Sequence, residues 1–201
     1  MKRFSFLFVL LILTSCSFSS QAVRVTERDV IDFEQLNFSK YLPTDAVTLK
    51  YEMHYEGSDD RTLKERKIEP TTSMHYTITQ TVNQEMTSRG QYELTKDSLQ
   101  GKRTLRSEKD APHTLLQSEP WEDELFTFEV DKHFYEVNIK NQNYEKCVAQ
   151  VQSNDTHVEV GRTYFCPGVG EVFSEVRLEE SKPNYITELV DVVSFGAEKG
   201  D

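Results

Sequence analysis

The stretch Val47-Thr48-Leu49-Lys50-Tyr51-Glu52-Met53-His54-Tyr55-Glu56 alternates apolar and polar side chains without a break, then runs into the turn cluster Gly57-Ser58-Asp59-Asp60. A period of two puts Val47, Leu49, Tyr51, Met53 and Tyr55 on one face of an extended chain, the pattern of a half-buried antiparallel strand. Downstream, Met74, Tyr76, Ile78 and Val82 alternate with His75, Thr77, Thr79 and Thr81, a Thr- and Tyr-rich composition that suits a pleated surface. Weaker strand patterns follow at 90–94, 101–106, 125–130, 134–139, 146–152, 157–166, 171–179 and 184–193. On one face of the 125–130 segment stand Phe126, Phe128 and Val130.

About ten short strands joined by polar turns predict an all-β, mainly antiparallel fold: a strongly curved sheet, a sandwich or an open barrel. The one helical candidate is Val30 to Leu36, ended by Pro43. Pro112, Pro120, Pro167 and Pro183 are read as lying between strands, where a missing N–H costs a ladder nothing.

With 201 residues, 37% of them apolar, the chain is long enough for one domain with its own core. The formal charge of −11 becomes −13 if Lys2 and Arg3 are removed with a leader, and such a field repels phosphate backbones, so nucleic acid is excluded as a natural partner.

The leader reading rests on three features. Met1-Lys2-Arg3 is a short positive region, Phe4 to Leu13 is an apolar run too short to span a bilayer of about 30 Å, and Thr14-Ser15 are small residues before Cys16. Leu13-Thr14-Ser15-Cys16 resembles the bacterial lipobox, in which the Cys is acylated on sulfur and becomes the mature N-terminus. That resemblance implies a signal peptide over 1–15 and a lipidated Cys and tether over 16–23; no Gly/Pro/Ser-rich or single-sign charge block follows until the polar tail over 196–201, so one β domain is expected over 24–195. The lipobox resemblance also implies that acyl chains hold the protein at a membrane surface. Ser17 after the Cys favours the outer membrane, facing the periplasm, if the host is diderm. The competing reading is an ordinary secretory peptide cut after Ser20-Gln21-Ala22.

The most distinctive segment is Asn143-Tyr-Glu-Lys-Cys147-Val-Ala-Gln-Val followed by Gly161-Arg-Thr-Tyr-Phe-Cys-Pro-Gly-Val-Gly-Glu-Val172. It resembles the C-terminal signature of a group of bacterial envelope lipoproteins and secreted proteins, the TapB/DUF3108-like group. Tyr164, Pro167, Gly168, Val169, Gly170 and Val172 stand at the matching positions, and 185–190 matches the closing strand. Cys166 stands where that pattern has a small or charged residue. The resemblance implies a curved antiparallel β domain at the envelope and supplies no catalytic residues. Independently of it, Pro167, Gly168 and Gly170 read as a structural turn, because glycines around Val169 permit positive φ where two strands reverse. No helix begins behind them, so they do not read as a phosphate cradle.

Once Cys16 is acylated, Cys147 and Cys166 are the remaining thiols, and export puts them in an oxidising compartment. A disulfide between two consecutive strands and a pair of free thiols both fit, the second because pairing Val151 with Val158 would set Cys147 opposite Arg162. The five His spell no metal motif, and His54 and His75 fall on the polar faces of their strands, as solvated or cross-strand groups. Serine-nucleophile motifs are absent, and the acids at 122–124 and 179–180 read as solvated charge. Trp121, the only Trp, either plugs the core or forms an aromatic lip.

The expectation is thus a non-enzymatic, membrane-anchored envelope domain that needs no cofactor or metal and binds a protein or apolar ligand. The first alternative is a carrier or chaperone for lipid or lipoprotein acyl chains, whose ligand face would be Tyr51, Met53, Tyr76, Ile78, Trp121, Phe126 and Phe128. An envelope hydrolase is the second.

Overall fold

The computed structural model describes residues 23–105, 111–177 and 182–194. The lipobox, Cys16, the tether up to Ala22 and the 196–201 tail lie outside the described residues. Thirteen strands form one antiparallel sheet: β1 (Arg24–Val30), β2 (Val47–Tyr55), β3 (Thr62–Pro70), β4 (His75–Val82), β5 (Glu85–Leu94), β6 (Ser98–Leu105), β7 (Ala111–Gln117), β8 (Trp121–Glu122), β9 (Thr127–Ile139), β10 (Gln142–Ser153), β11 (Glu159–Cys166), β12 (Gly170–Val176) and β13 (Tyr185–Ser194). Their order is β1-β9-β10-β11-β12-β13-β2-β3-β4-β5-β6-β7, with β8 paired to the start of β9. The sheet does not close, yet it curls until its two limbs touch: Gln150 Nε2 on β10 donates to the Leu115 carbonyl on β7 at 2.7 Å.

The fold class is the expected one, in its strongly curved open form. The alternation over Val47–Tyr55 buries Val47, Leu49, Tyr51 and Met53 on the inner face, and Leu49 and Tyr51 are wholly inaccessible. Continuing across the register, Ile68, Ile78, Tyr76, Tyr92, Leu94, Leu99 and Leu116 occupy the same face of β3 to β7. The backbones approach closely where β5 meets β6. A Cβ on Gly101 would lie 2.0 Å from the Gln91 carbonyl oxygen, and one on Gly90 would lie 2.5 Å from the Tyr92 ring, so only glycine lets the strands pinch and the ring lie flat against them.

Four sequence-based expectations are corrected. Strands β1, β3, β7 and β8 carry no clean alternation and are not among the expected ten; with two expected segments merged into one, the ten become thirteen among the described residues. The segments 125–130 and 134–139 belong to one strand, Thr127–Ile139, whose phase is broken by irregularities in its pairing with both neighbours. Pro112 lies inside β7 and not between strands, which is tolerated because β7 is an edge. Val30 to Leu36 does not form a helix. Val30 still belongs to β1, and Asp32 Oδ1 accepts from the Glu34 N–H at 3.1 Å, a local turn that competes with helix. The only helical turn nearby is the 3-10 segment Phe38–Tyr41, capped by Asn37.

Because neighbours are antiparallel, the connections segregate to two ends. One end carries the turns at 71–74, 95–97, 140–141 and 167–169, and the other those at 56–61, 83–84 and 154–158. Residues 31–42 cross the first end as a strap. The strap begins at Ile31 N–H to the Lys132 carbonyl (2.8 Å), touches the β5–β6 turn through Phe38 N–H to the Lys96 carbonyl (2.8 Å), and reaches the β11–β12 turn through Gly168 N–H to the Lys40 carbonyl (2.7 Å). It inserts Ile31, Leu36, Phe38, Tyr41 and Leu42 into the core. Burying five such side chains stabilises this closure by about 1.5–3 kcal/mol each before chain entropy is counted. Among the described residues no segment crosses the second end in this way.

Candidate functional site

The inner face changes character along its length. Toward the strap it is apolar; toward the open end it holds charge. Lys64 and Arg66 sit two apart on β3, so both point inward with Ile68. Glu171, at the start of β12, receives Lys64 Nζ at 3.1 Å and Arg66 Nη1 at 2.6 Å. Tyr51 lies between them on β2, with its hydroxyl donating to the Glu171 carbonyl at 2.9 Å and the Lys64 ammonium 4.4 Å from its ring centroid. Burial alone would raise the Glu171 carboxyl, but Arg66 and then Lys64 override it and hold it at about 2. Burial lowers the Lys64 pKa more than Glu171 lifts it, whereas Arg66 is pushed up by Glu171. The carboxylate is therefore secured chiefly by Arg66.

Beyond this triad the cations continue. Arg103 on β6 faces Gly90 on the inner side, two residues from Gly101, which pairs with both Tyr92 and His113. The Tyr92 hydroxyl and His113 Nδ1 lie 3.3 Å apart. Burial, then Arg103 and Arg66, push His113 down to about 4, so it is neutral at physiological pH. Arg103, His113, Gln80, Gln150 and Thr163 are only half-buried, so this side of the cluster keeps some contact with solvent.

At that end lies a cavity of about 520 Å³ lined by Met53, Tyr55, Thr62, Val176 and Tyr185 of the inner face, together with His54, Ser58, Asp60, Lys182 and Pro183. Exposed large apolar side chains stand at this end of the sheet: Tyr55, which lines the cavity, and Leu63, Met86, Leu105, Leu125 and Val158 at strand ends or connections. A second cleft, of about 630 Å³, lies beneath the strap. Leu36 and Tyr41 of the strap face Phe134 and Pro167 across it, and Arg28, Asp29, Lys40, Glu145 and Lys146 edge it.

The seven residues expected to form an apolar ligand face divide. Tyr51, Met53, Tyr76 and Ile78 are core, buried by the protein's own packing. Trp121, Phe126 and Phe128 are half-buried at the β8–β9 margin, with Trp121 stacked on Phe128 at 5.3 Å and Phe126 edge-on to Phe128 at 6.4 Å. Cys147 and Cys166 are disulfide-bonded, with Cα atoms 4.1 Å apart. The register pairs Val148 with Phe165 and sets Arg162 opposite Val151, which leaves the two Cys facing each other. Pro167, Gly168 and Gly170 form the adjoining turn, with φ of +74° at Gly168 and +94° at Gly170. Of the two His, His75 is exposed and contacts Thr72 at 3.0 Å, whereas His54 is buried on the outer face, 3.7 Å from Glu188, and is not solvated. Among the described residues no group of three or more His, Cys, Asp or Glu could hold a metal ion.

Sequence reading missed the cationic cluster. Its residues lie on β3, β6, β7 and β12, and inward-facing Lys64 and Arg66 make β3 look like a solvated charge run. The available signal was length: the stretch from Arg61 to Ser73 is long for a loop between two strands.

No known protein family matches the chain, and no curated protein matches it. Two solved structures align with it. One is a domain from Vibrio parahaemolyticus described as an outer membrane lipoprotein-sorting protein, with 9% identity, 84% of this chain and 93% of that chain covered, and a TM-score of 0.34. The other is a DUF1329 family protein from Desulfovibrio piger, with 7% identity, 82% and 90% covered, and a TM-score of 0.35.

Proposed function

We propose that this chain is a lipid-anchored, non-enzymatic binding domain of the bacterial cell envelope, tethered through Cys16 and taking its ligand at the open end of the curved sheet. The observation that carries the binding part is the asymmetry of the two ends. The strap covers one with Phe38, Tyr41 and Leu42 and leaves a cleft of about 630 Å³ beneath it, while at the other a cavity of about 520 Å³ is lined by inner-face residues of β2, β3, β12 and β13. The chain enters the domain at the filled end, since Arg24 pairs with Asn138 beside the β9–β10 turn. An anchor there leaves the cavity facing away from the membrane that holds the protein. In a diderm host the tether sequence favours the outer membrane, facing the periplasm.

A carrier for lipid or lipoprotein acyl chains is the second reading, favoured by the exposed apolar side chains around the open end. With Tyr51 and Leu49 wholly buried, acyl chains would lie at that mouth and along the Trp121–Phe128 margin, not deep in the core.

Native mass spectrometry of the detergent-extracted protein tests both readings. The expected mass is that of the chain from Cys16 with acyl groups, and Cys16→Ala should move the protein to a soluble fraction. A wild type without lipid mass, or a variant that still sediments with membranes, refutes the anchor.

A further inference from the structure

We infer that the open end is a binding site for an anionic amphiphile, with a carboxylate or phosphate group held by Arg103 and Arg66 and the attached apolar chain lying on the rim. The inference rests on the ligand-binding reading above and adds the ligand's chemistry.

Charge is the first argument. The inner face gathers Lys64, Arg66 and Arg103; among the described residues Glu171 is the carboxylate bonded to Lys64 and Arg66, and Glu85 stands at the strand end on the same side through its register with Val82. Asp123 acts on His113 from the β8–β9 turn, and His113 itself is neutral. Glu171 saturates Arg66 Nη1 and Lys64, and no carboxylate among the described residues is within ion-pairing distance of Arg103. A cation excess under a low-dielectric wall, in a chain whose formal charge is −11, is costly unless an anion completes it. The protein's overall negative field does not prevent this, because charges beyond about 8–10 Å are screened at physiological salt while those lining a cleft are not.

Access is the second argument. Arg103 and His113 are half-buried, and Arg103 stands two residues from the end of β6, so its guanidinium keeps contact with solvent without unfolding. The third is the surround. A free inorganic anion has no use for an apolar rim, whereas Leu105 and Tyr55, exposed at strand ends on the inner side, offer a surface to a hydrocarbon chain next to an ionic group. Guanidinium groups also match the planar, two-oxygen geometry of a carboxylate or phosphate.

The single Trp121 gives the measurement, since it stands at the β8–β9 margin and stacks on Phe128. Full-length mature protein in a neutral detergent is titrated with a brominated long-chain fatty acid, with its methyl ester and with an alkyl phosphate, while Trp121 quenching is followed. Inorganic phosphate is added as competitor. The expected result is an acid or alkyl phosphate that binds about tenfold more tightly than the ester, with the preference falling below about threefold in Arg103→Gln. Displacement by millimolar inorganic phosphate would identify the head-group pocket as a general anion site; its failure to compete would tie recognition to the amphiphile. Equal affinity for acid and ester, or a preference untouched by Arg103→Gln, overturns the anion assignment but leaves an apolar ligand site standing. No quenching by any of the three overturns ligand binding at the open end as well.

Discussion

Replacing Glu171 with Gln should expose how much the inner-face ion cluster contributes to the domain. Glu171 is 7% exposed and neutralises two buried cations at 3.1 and 2.6 Å. Gln keeps the shape but removes the charge, leaving Lys64 and Arg66 uncompensated; breaking a buried pair in this way costs about 3–5 kcal/mol. The pKa gives a matching figure. The carboxyl falls from 4.5 to about 2 on folding, roughly 3 kcal/mol of stability. Its sign follows from the depressed value: the stabilisation is fully present above the unfolded pKa near 4.5 and is lost as pH falls from about 5 toward 2. Urea unfolding at pH 7 should therefore show a drop of about 3–5 kcal/mol without a change in m, and the melting temperature should fall by about 10 °C. Between pH 5 and pH 2.5 the wild type should lose stability faster than the variant, which lacks this titration. A variant within 1 kcal/mol of wild type, or one with the same acid slope, would refute the reasoning. Exchanging Lys64, Arg66 and Glu171 together for Met, Met and Gln should recover much of the loss, because no unpaired charge then remains buried.

Replacing both Cys147 and Cys166 with Ser should lower stability by about 3 kcal/mol, since the bridge closes a 19-residue separation, and thiol counting on denatured, non-reduced wild-type protein should find neither free. Val at Gly170 should cost about 1–3 kcal/mol in chemical unfolding, because its φ of +94° excludes a branched side chain; Gly168, at +74° with open space around it, should cost less. Gly101→Ala should be more disruptive than either, since its Cβ would collide with the Gln91 backbone at 2.0 Å; an unchanged unfolding midpoint would remove Gly101 as a source of the curvature.

The sequence by itself determined the parts of this protein that rest on local or pairwise rules. The period of two over Val47–Tyr55 specifies a strand with one buried face, and the same rule recovers β4 through Tyr76 and Ile78, whereas β10 to β13 give weaker patterns because Gln150, Thr163, Ser174 and Thr187 also face inward. Two cysteines on consecutive strands made the Cys147–Cys166 bridge available, and glycines at 168 and 170 predicted the positive-φ turn that is found. Tertiary structure decided which register closed the bridge, because the β10–β11 pairing, and no local pattern, sets Cys147 against Cys166. It also decided the fate of the charged strand β3. Lys64 and Arg66 can face inward only because a carboxylate 107 residues from Lys64 comes to meet them, and alternation in one segment carries no record of such a partner. The strap is likewise invisible locally. Ile31 and Leu42 lie outside any regular element and Phe38 opens only a four-residue 3-10 turn, and they are buried because the curling sheet leaves one apolar end that something must cover. Side-chain periodicity reports which face of a strand is wet. The curl of the sheet, which brings β7 against β10 and gathers Lys64, Arg66, Arg103 and Glu171 into one concavity, comes from non-local pairing and close backbone approach at Gly90 and Gly101, and only the assembled fold expresses it.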